Sequence, residues 1–577
     1  MPGDNARQKA QTRQRAKTLY CQSVTTADSK NIMELALGLG LRADECLPFG
    51  HDVCKITRPP RLEEKRATYV AVTAVTPTPA GEGKTVTSIG LSMALSKLGK
   101  RSIATLRQPS LAPVLGLKGG GAGGGRARLE PFDRINLGLT GDLFAIEAAN
   151  NLLAAVIDDH LYRGREPKLD EATITWKRVI DIGDRSLVNI NTALAGKSGM
   201  QTRTTGFELT AASEVMAILA LAADIPDLKR RLERIVIASS ENGAPVTAKD
   251  LGVTGAMAML LRDAIYPNLV RTSSGSAALV HGGPFANIAH GNCSIIADVL
   301  ANNLGDVVVT EGGFGSDMGA EKLFHIKCRQ SGLRPDVAVL VCTLRALKLH
   351  SGQFDVKPGR PLPAALSEKN LAALESGATN LQAHIDLLRE FGLPVVVAIN
   401  RFPEDSEEEI ARVRAIAVER GASAAVTSSV FADGADGRVA MAEAVLEAGT
   451  AKRKFRMVYE LSDSLESKLQ TLATRIYGAK GIELSAEASA ALERFTAQGY
   501  SKLPVCMAKT QASLSHDPKL LGRPQDYIFP IRDVRLSAGA GFVYALAGDQ
   551  RTMPGLPGDP AARHVELSDD GSIVGLF

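Results

Sequence analysis

A doubly wound α/β fold, with a mostly parallel sheet and two smaller α/β domains, is what this sequence predicts. Three observations lead there. Continuous β-branched runs recur at 68–75, 102–106, 234–238, 306–310, 336–342 and 394–399, as in strands covered on both faces. Stretches with apolar positions at helical spacing lie between them, 143–160 and 211–223 among these. Finally, Thr78-Pro-Ala-Gly-Glu-Gly-Lys-Thr85 stands between the first run and a helical stretch over 86–99. Strand, glycine-rich turn, Lys-Thr and helix in that order make the layout of a phosphate-binding loop, hence a fold of the P-loop type.

The remaining elements follow in chain order. Residues 1–30 carry Arg7, Lys9, Arg13, Arg15 and Lys17 against Asp4 and Asp28. A transit peptide would look like this, but the segment has no clear apolar face and reads better as a solvated basic tail. A short helix over 31–41 and the turn Arg58-Pro-Pro-Arg61 lead into the first strand. The nucleotide-binding domain is expected to span 31–360. The link Lys357-Pro-Gly-Arg-Pro-Leu-Pro363 suggests its end. A second α/β domain over 361–457 then holds a helix at 370–391, the strand 394–399 and a charged helix at 406–419, which Ser406 is placed to cap. A C-terminal domain, 458–577, has helices at 459–477 and 484–499 and a glycine- and β-rich end from 529. A chain of 577 residues is too long for one core.

Composition narrows the class. Hydrophobic residues make up 45% and charged residues 23%, as in a globular protein. A net charge of +4, with both signs interspersed, argues against nucleic acid or a membrane surface as the main partner. No apolar stretch approaches the length of a membrane span. The seven cysteines form no C-x-x-C pair and several lie in apolar runs, so buried free thiols in a reducing, cytoplasmic setting are expected.

The loop 78–85 reads as an ATP site. Its backbone N–H groups and the helix N-terminus would cradle phosphates, Lys84 would reach the terminal ones, and the Thr85 hydroxyl would hold Mg²⁺. Thr78, Pro79, Ala80, Gly81, Glu82, Gly83, Lys84 and Thr85 are the binding residues on this reading. One place departs, because the usual pattern opens with Gly where this chain has Thr78. A second glycine-rich stretch, Arg107 to Gly125, lies beyond the strand 102–106. Its glycines at 119–121 and 123–125 suit a backbone that approaches a ligand closely. Arg107 and Lys118 flank them, placed to neutralise a transferring phosphoryl group. A flexible linker is the alternative, and linkers rarely follow directly on a buried strand. His281 and His290, nine apart in a glycine-rich loop, fit a structural or phosphate-facing role better than a metal site. Asn400-Arg-Phe-Pro-Glu-Asp405 loosely resembles a base-recognition loop; a plain βα turn is the better default.

From about residue 31 onward the chain resembles the formate–tetrahydrofolate ligase family. The matching segments include T-P-A-G-E-G-K-T at 78–85, R-Q-P-S-L-A-P at 107–113 and L-T-G-D at 139–142. Others are H-G-G-P-F-A-N-I-A-H at 281–290, P-V-V-V-A-I-N at 394–400 and P-V-C-M-A-K-T-Q at 504–511. The resemblance implies that ATP phosphorylates formate to formyl phosphate and that N10 of tetrahydrofolate then displaces phosphate. It implies Lys84 and Arg107, with Mg²⁺, around the migrating phosphoryl group, and a homotetramer activated by a monovalent cation, NH₄⁺ or K⁺. Departures from the family pattern cluster in its motifs. Arg126 stands where the family has tyrosine beside the formyl phosphate, which makes it a candidate catalytic residue. Gly138 and Phe144 replace histidines, Ala378 an aromatic, Ala512 a tyrosine and Thr204 a glutamate. Phe431 stands for the pterin-stacking tryptophan. These departures leave alternatives open: the same activating head with another carboxylate or acceptor, or a non-catalytic paralogue that binds ATP or folate.

Overall fold

The computed structural model describes residues 31–64, 67–116, 121–196, 199–356, 362–451, 454–548 and 552–576. The basic tail 1–30, Lys118, Gly119, Gly120 and positions 357–361 of the proline-containing link lie outside the described residues.

A twelve-stranded sheet forms the centre. Its strands are β1 Cys46–Pro48, β2 Cys54–Ile56, β3 Thr68–Ala74, β4 Ser102–Leu106, β5 Gly123–Gly124, β6 Ala127–Glu130, β7 Asn268–Thr272, β8 Ala277–Val280, β9 Val307–Glu311, β10 Val337–Cys342, β11 Val395–Asn400 and β12 Ala424–Ser428. The main path runs β1-β2-β7-β8-β4-β9-β3-β10-β11-β12. From β8 to β12 every pairing is parallel. The β1, β2 and β7 end is antiparallel, with β6 pairing β7 off the path. The predicted strands 68–75, 102–106, 306–310, 336–342 and 394–399 all lie in this sheet.

Helices cover both faces, as the continuous apolar runs require. Val70, Val72 and Ala74 of β3 pack with Leu91, Ala94 and Leu95 of helix α1 (Lys84–Lys97), and with Met441, Ala442 and Val445 from a later helix. Tyr69 and Ala71, pointing the other way by the two-residue period of a strand, join a cluster with Leu381, Ile385 and Leu388 of α2 (Leu371–Glu390). Each of these side chains is almost wholly buried, worth roughly 2 kcal/mol for each Val, Leu, Ile or Met relative to exposure and under about 1 kcal/mol for each Ala. Helix α3, Glu407–Glu419, starts at Ser406, whose Oγ accepts from the Glu409 N–H, so the expected cap is present.

Three expectations need correction; the first is the helix at 459–477, which starts only at Leu465, where the Ser464 side chain caps it by accepting from the Ser467 N–H. The run at 234–238 forms a strand, Val236–Ser239, that pairs only with Pro245–Thr247 in a separate two-stranded sheet. The turn at 240–244 sends the chain straight back beside it, closing a local hairpin that leaves no need for the central sheet. The helical stretch 211–223 is shorter, Glu214–Leu221, because the Ser213 side chain caps it from the Met216 N–H. The segment 361–457 supplies β11 and β12, which extend the central sheet next to β10. Beyond it the chain builds a three-stranded mixed sheet from Val505–Ala508, Asp533–Ser537 and Phe542–Leu546, with β-structure in the region from 529 as expected.

Candidate functional site

Strand order assembles the site. The neighbours β4, β9 and β3 run parallel, so their carboxyl ends share one edge. Arg107 follows β4 directly, Glu311 ends β9, and the loop 78–85 follows β3. Adjacent strands lie about 4.8 Å apart, which brings the three within roughly 10 Å along that edge. The chain leaves β3 towards β4 on one side and later places β10 on the other, the kind of switch point that opens a crevice in a doubly wound sheet.

The loop 78–85 is tightly built. Glu82, almost fully buried, folds back so that Oε1 accepts from the Thr78 N–H (2.7 Å) and the Thr78 hydroxyl (3.1 Å). This explains the departure at position 78, since a glycine there would lose the hydroxyl that holds the Glu82 carboxylate. The Thr78 carbonyl accepts from the Gly81 N–H (3.1 Å), closing a turn. Gly83 takes φ +76°, and a Cβ on it would fall 2.4 Å from Asn400 Nδ2, so glycine is required for both reasons. That same Nδ2 donates to the Glu82 carbonyl (2.7 Å), tying the end of β11 to the loop crest. Lys84 opens α1, half-buried, and the first turn of that helix directs N–H groups out of its end.

Glu311 was not singled out in the sequence. It is 7% exposed, and its carboxylate oxygens accept from the Thr85 hydroxyl (3.3 Å) and the Ser88 hydroxyl (3.3 Å). Its signal is an acid closing the run Val307-Val-Val-Thr-Glu311, and only strand order gives it meaning. Thr85 Oγ1, Ser88 Oγ and the Glu311 carboxylate form a set of hard oxygen donors, the chemistry that suits Mg²⁺. Arg107 donates to the Pro284 carbonyl (3.3 Å) and lies against Gly313; burial lowers its pKa, opposed by the nearby Glu311 charge.

A buried histidine braces the loop from below. His384 Nε2 bonds with Thr76 Oγ1 (3.0 Å) and Nδ1 with Ser316 Oγ (2.5 Å). Burial pushes its pKa down to about 4 against the pull of Asp317, and the Lys84 charge adds to that push. The ring is therefore neutral near pH 7, and Lys84 lies within electrostatic range of it. His281 bonds with Ser294 Oγ (2.7 Å) and the Ala264 carbonyl (2.6 Å), a structural role. His290 is buried and held neutral by burial and surrounding cations. No group of three potential metal ligands from His, Cys, Asp and Glu occurs among the described residues.

The second glycine-rich stretch meets the segment after β12. Phe431, in the short helix α4 (Val430–Asp433), is 65% exposed and lies over Gly124 and Gly125. A Cβ at Gly125 would fall 2.4 Å from the Phe431 carbonyl, so the close approach depends on glycine. The Arg126 N–H donates to that carbonyl (3.2 Å). The Arg126 side chain is exposed at this rim, and Glu130 pairs with Arg128 (2.6 Å) instead. Phe144 is exposed and faces solvent. Lys84, Arg107 and Glu311 thus share one edge of the crevice, and Arg126 stands with Phe431 where the second glycine-rich stretch meets the α4 segment.

The family model described as formate–tetrahydrofolate ligase matches residues 21–577. A protein of Roseiflexus sp. named formate–tetrahydrofolate ligase is 53% identical over 548 residues, covering 94% of this chain and 97% of the relative. Proteins of the same name from Saccharopolyspora erythraea and Desulforamulus reducens are each 49% identical, over 547 and 549 residues; they cover 94% and 95% of this chain and 96% and 97% of the relatives.

Proposed function

The chain belongs to the formate–tetrahydrofolate ligase family, and on that premise we propose how its own residues carry out the ATP-dependent joining of formate to tetrahydrofolate. A formate oxygen attacks the γ-phosphorus of ATP, ADP leaves, and formyl phosphate forms. N10 of tetrahydrofolate then attacks the formyl carbon, phosphate leaves with the C–O bond pair, and N10 loses a proton to give 10-formyltetrahydrofolate. The observation that carries the assignment to this crevice is the convergence of Lys84, Glu311 and Arg107 at the ends of three adjacent parallel strands.

In this reading the loop Thr78–Thr85 is a P-loop. Its backbone and the start of α1 hold the polyphosphate, and Lys84 and Arg107 offset charge on the migrating phosphoryl group. Thr85 and Glu311 would hold Mg²⁺, which when bound neutralises the phosphate oxygens. Phe431, exposed over the Gly124–Gly125 backbone, serves as the platform for the pterin, and Arg126 lines the same rim. The nucleotide domain covers 31–360, the folate side 361–457 and the C-terminal domain 458–577. Six described cysteines are free and buried, which supports a reducing, cytoplasmic setting; Cys21 lies outside the described residues. No helix among the described residues is long and apolar enough to cross a membrane. Family membership supports a homotetramer and activation by NH₄⁺ or K⁺.

Incubation with ATP, formate and tetrahydrofolate is expected to yield 10-formyltetrahydrofolate and ADP, identified by mass spectrometry, with no folate product when any one substrate is left out. Product formation from another carboxylate with none from formate would overturn the assignment. Phe431 presents a smaller π-face than tryptophan. Phe431→Trp is therefore expected to lower the tetrahydrofolate KM about threefold with kcat little changed. A KM that stays or rises would remove Phe431 as the platform.

A further inference from the structure

Arg438 lies inside the protein, 1% exposed, at the start of helix α5 (Val439–Gly449). Its Nη2 donates to Thr87 Oγ1 (2.9 Å) and Asn400 Oδ1 (3.1 Å), and its Nη1 to the Thr87 carbonyl (3.3 Å) and Met441 Sδ (3.5 Å). Nε has no partner among the described residues. Nor does any described carboxylate come within ion-pair distance; Asp433 and Asp436 are exposed, and Asp436 is taken by Lys97. A guanidinium buried without a counter-ion destabilises the fold that holds it. Burial alone pulls its pKa well below the ordinary range, with no anion restoring it.

What this cation faces is the underside of the phosphate loop. Thr87 Oγ1, which accepts from Arg438, donates in turn to the Gly83 carbonyl (2.8 Å). Asn400, which accepts from Arg438 at Oδ1, donates from Nδ2 to the Glu82 carbonyl (2.7 Å). Both hydrogen-bond chains from Arg438 therefore end on adjacent carbonyls of the loop crest. We propose that Arg438 is a positioning residue: its buried charge fixes the 82–87 stretch in phosphate-binding shape, and the nucleotide's polyphosphate supplies the anion that compensates it. The inference rests on the ATP reading of the loop. It requires that the stability of the empty protein and its affinity for nucleotide pull in opposite directions at this residue.

The test compares wild type, Arg438→Met and Arg438→Lys for ATP affinity by titration calorimetry, for kcat and ATP KM, and for Tm without nucleotide. Arg438→Met is expected to bind ATP about tenfold more weakly, a difference of about 1.4 kcal/mol, and to raise KM with kcat held within about twofold. Its nucleotide-free Tm should equal or exceed that of wild type. Arg438→Lys, keeping the charge but not the fork, should fall between the two in affinity. Unchanged ATP affinity in Arg438→Met would overturn the proposal. So would a lower nucleotide-free Tm or failure to fold, since the guanidinium would then be part of the scaffold. A wild type that fails to bind ATP would instead overturn the ATP reading of the loop, which separates the two failures.

Discussion

Lys84→Ala is expected to lower the rate of ATP-dependent formate activation by roughly 10²-fold or more while leaving the fold in place. Phosphoryl transfer asks little covalent chemistry of a protein. Its barrier falls through positioning and through charge set against the oxygens of the group in flight, so a lost ammonium at that point is felt mainly in the rate. The fold should tolerate the change because Lys84 is half-buried at the first position of α1, whereas the packing of that helix comes from Ile89, Leu91, Met93, Ala94 and Leu95 further along. Alanine is also the best helix former, so the helix itself does not weaken. Kinetics of ADP release with formate, alongside Tm by circular dichroism, check both halves. A variant that turns over ATP at near the wild-type rate would take Lys84 out of the mechanism.

The parts of this molecule legible in the sequence are those written in local pattern. The strand 68–75 and the loop 78–85 announced themselves because a β-branched run, two glycines at fixed offsets and a helical period adjoin within thirty residues. Cys342 and its neighbours were readable as buried because an uninterrupted apolar run leaves no solvent face. The hairpin of β7 and β8 was not read, since two short runs split by Ser273-Ser-Gly275 carry little periodicity. Contacts fixed by strand order were hidden for a deeper reason. Glu311 is an acid at the end of an apolar run, as many βα turns have, and becomes a partner of Thr85 only because β9 lies between β4 and β3. Phe431 was reached through the resemblance; nothing in its neighbours predicts that it would lie over Gly124 and Gly125, some 300 residues earlier. Arg126, which the resemblance sets beside the phosphoryl chemistry, stands next to Phe431, because the backbone after Gly125 is drawn to the Phe431 carbonyl.

The strand order carries the remaining prediction. Glu311→Gln keeps the size of the side chain, removes the charge, and leaves an oxygen for one of the Thr85 and Ser88 hydroxyls while setting an N–H donor against the other. If that carboxylate helps to hold Mg²⁺ beside Thr85, a neutral amide should cost about 10²-fold or more in rate at ordinary Mg²⁺ concentrations. A weaker site is one that more metal can fill, so raising Mg²⁺ should recover part of the loss in Glu311→Gln. No such recovery is expected in Lys84→Ala, where the missing charge belongs to the protein. Two effects act on the fold in opposite directions. The buried carboxylate no longer has to be desolvated, while Arg107 loses the negative charge that opposes its own burial penalty. The Tm should therefore move little, so a large fall in rate would come from the site. Rate against Mg²⁺ concentration, measured for wild type and both variants, decides the matter. An unchanged Mg²⁺ dependence in Glu311→Gln would leave Glu311 as a partner of the Thr85 and Ser88 hydroxyls, with the metal held elsewhere.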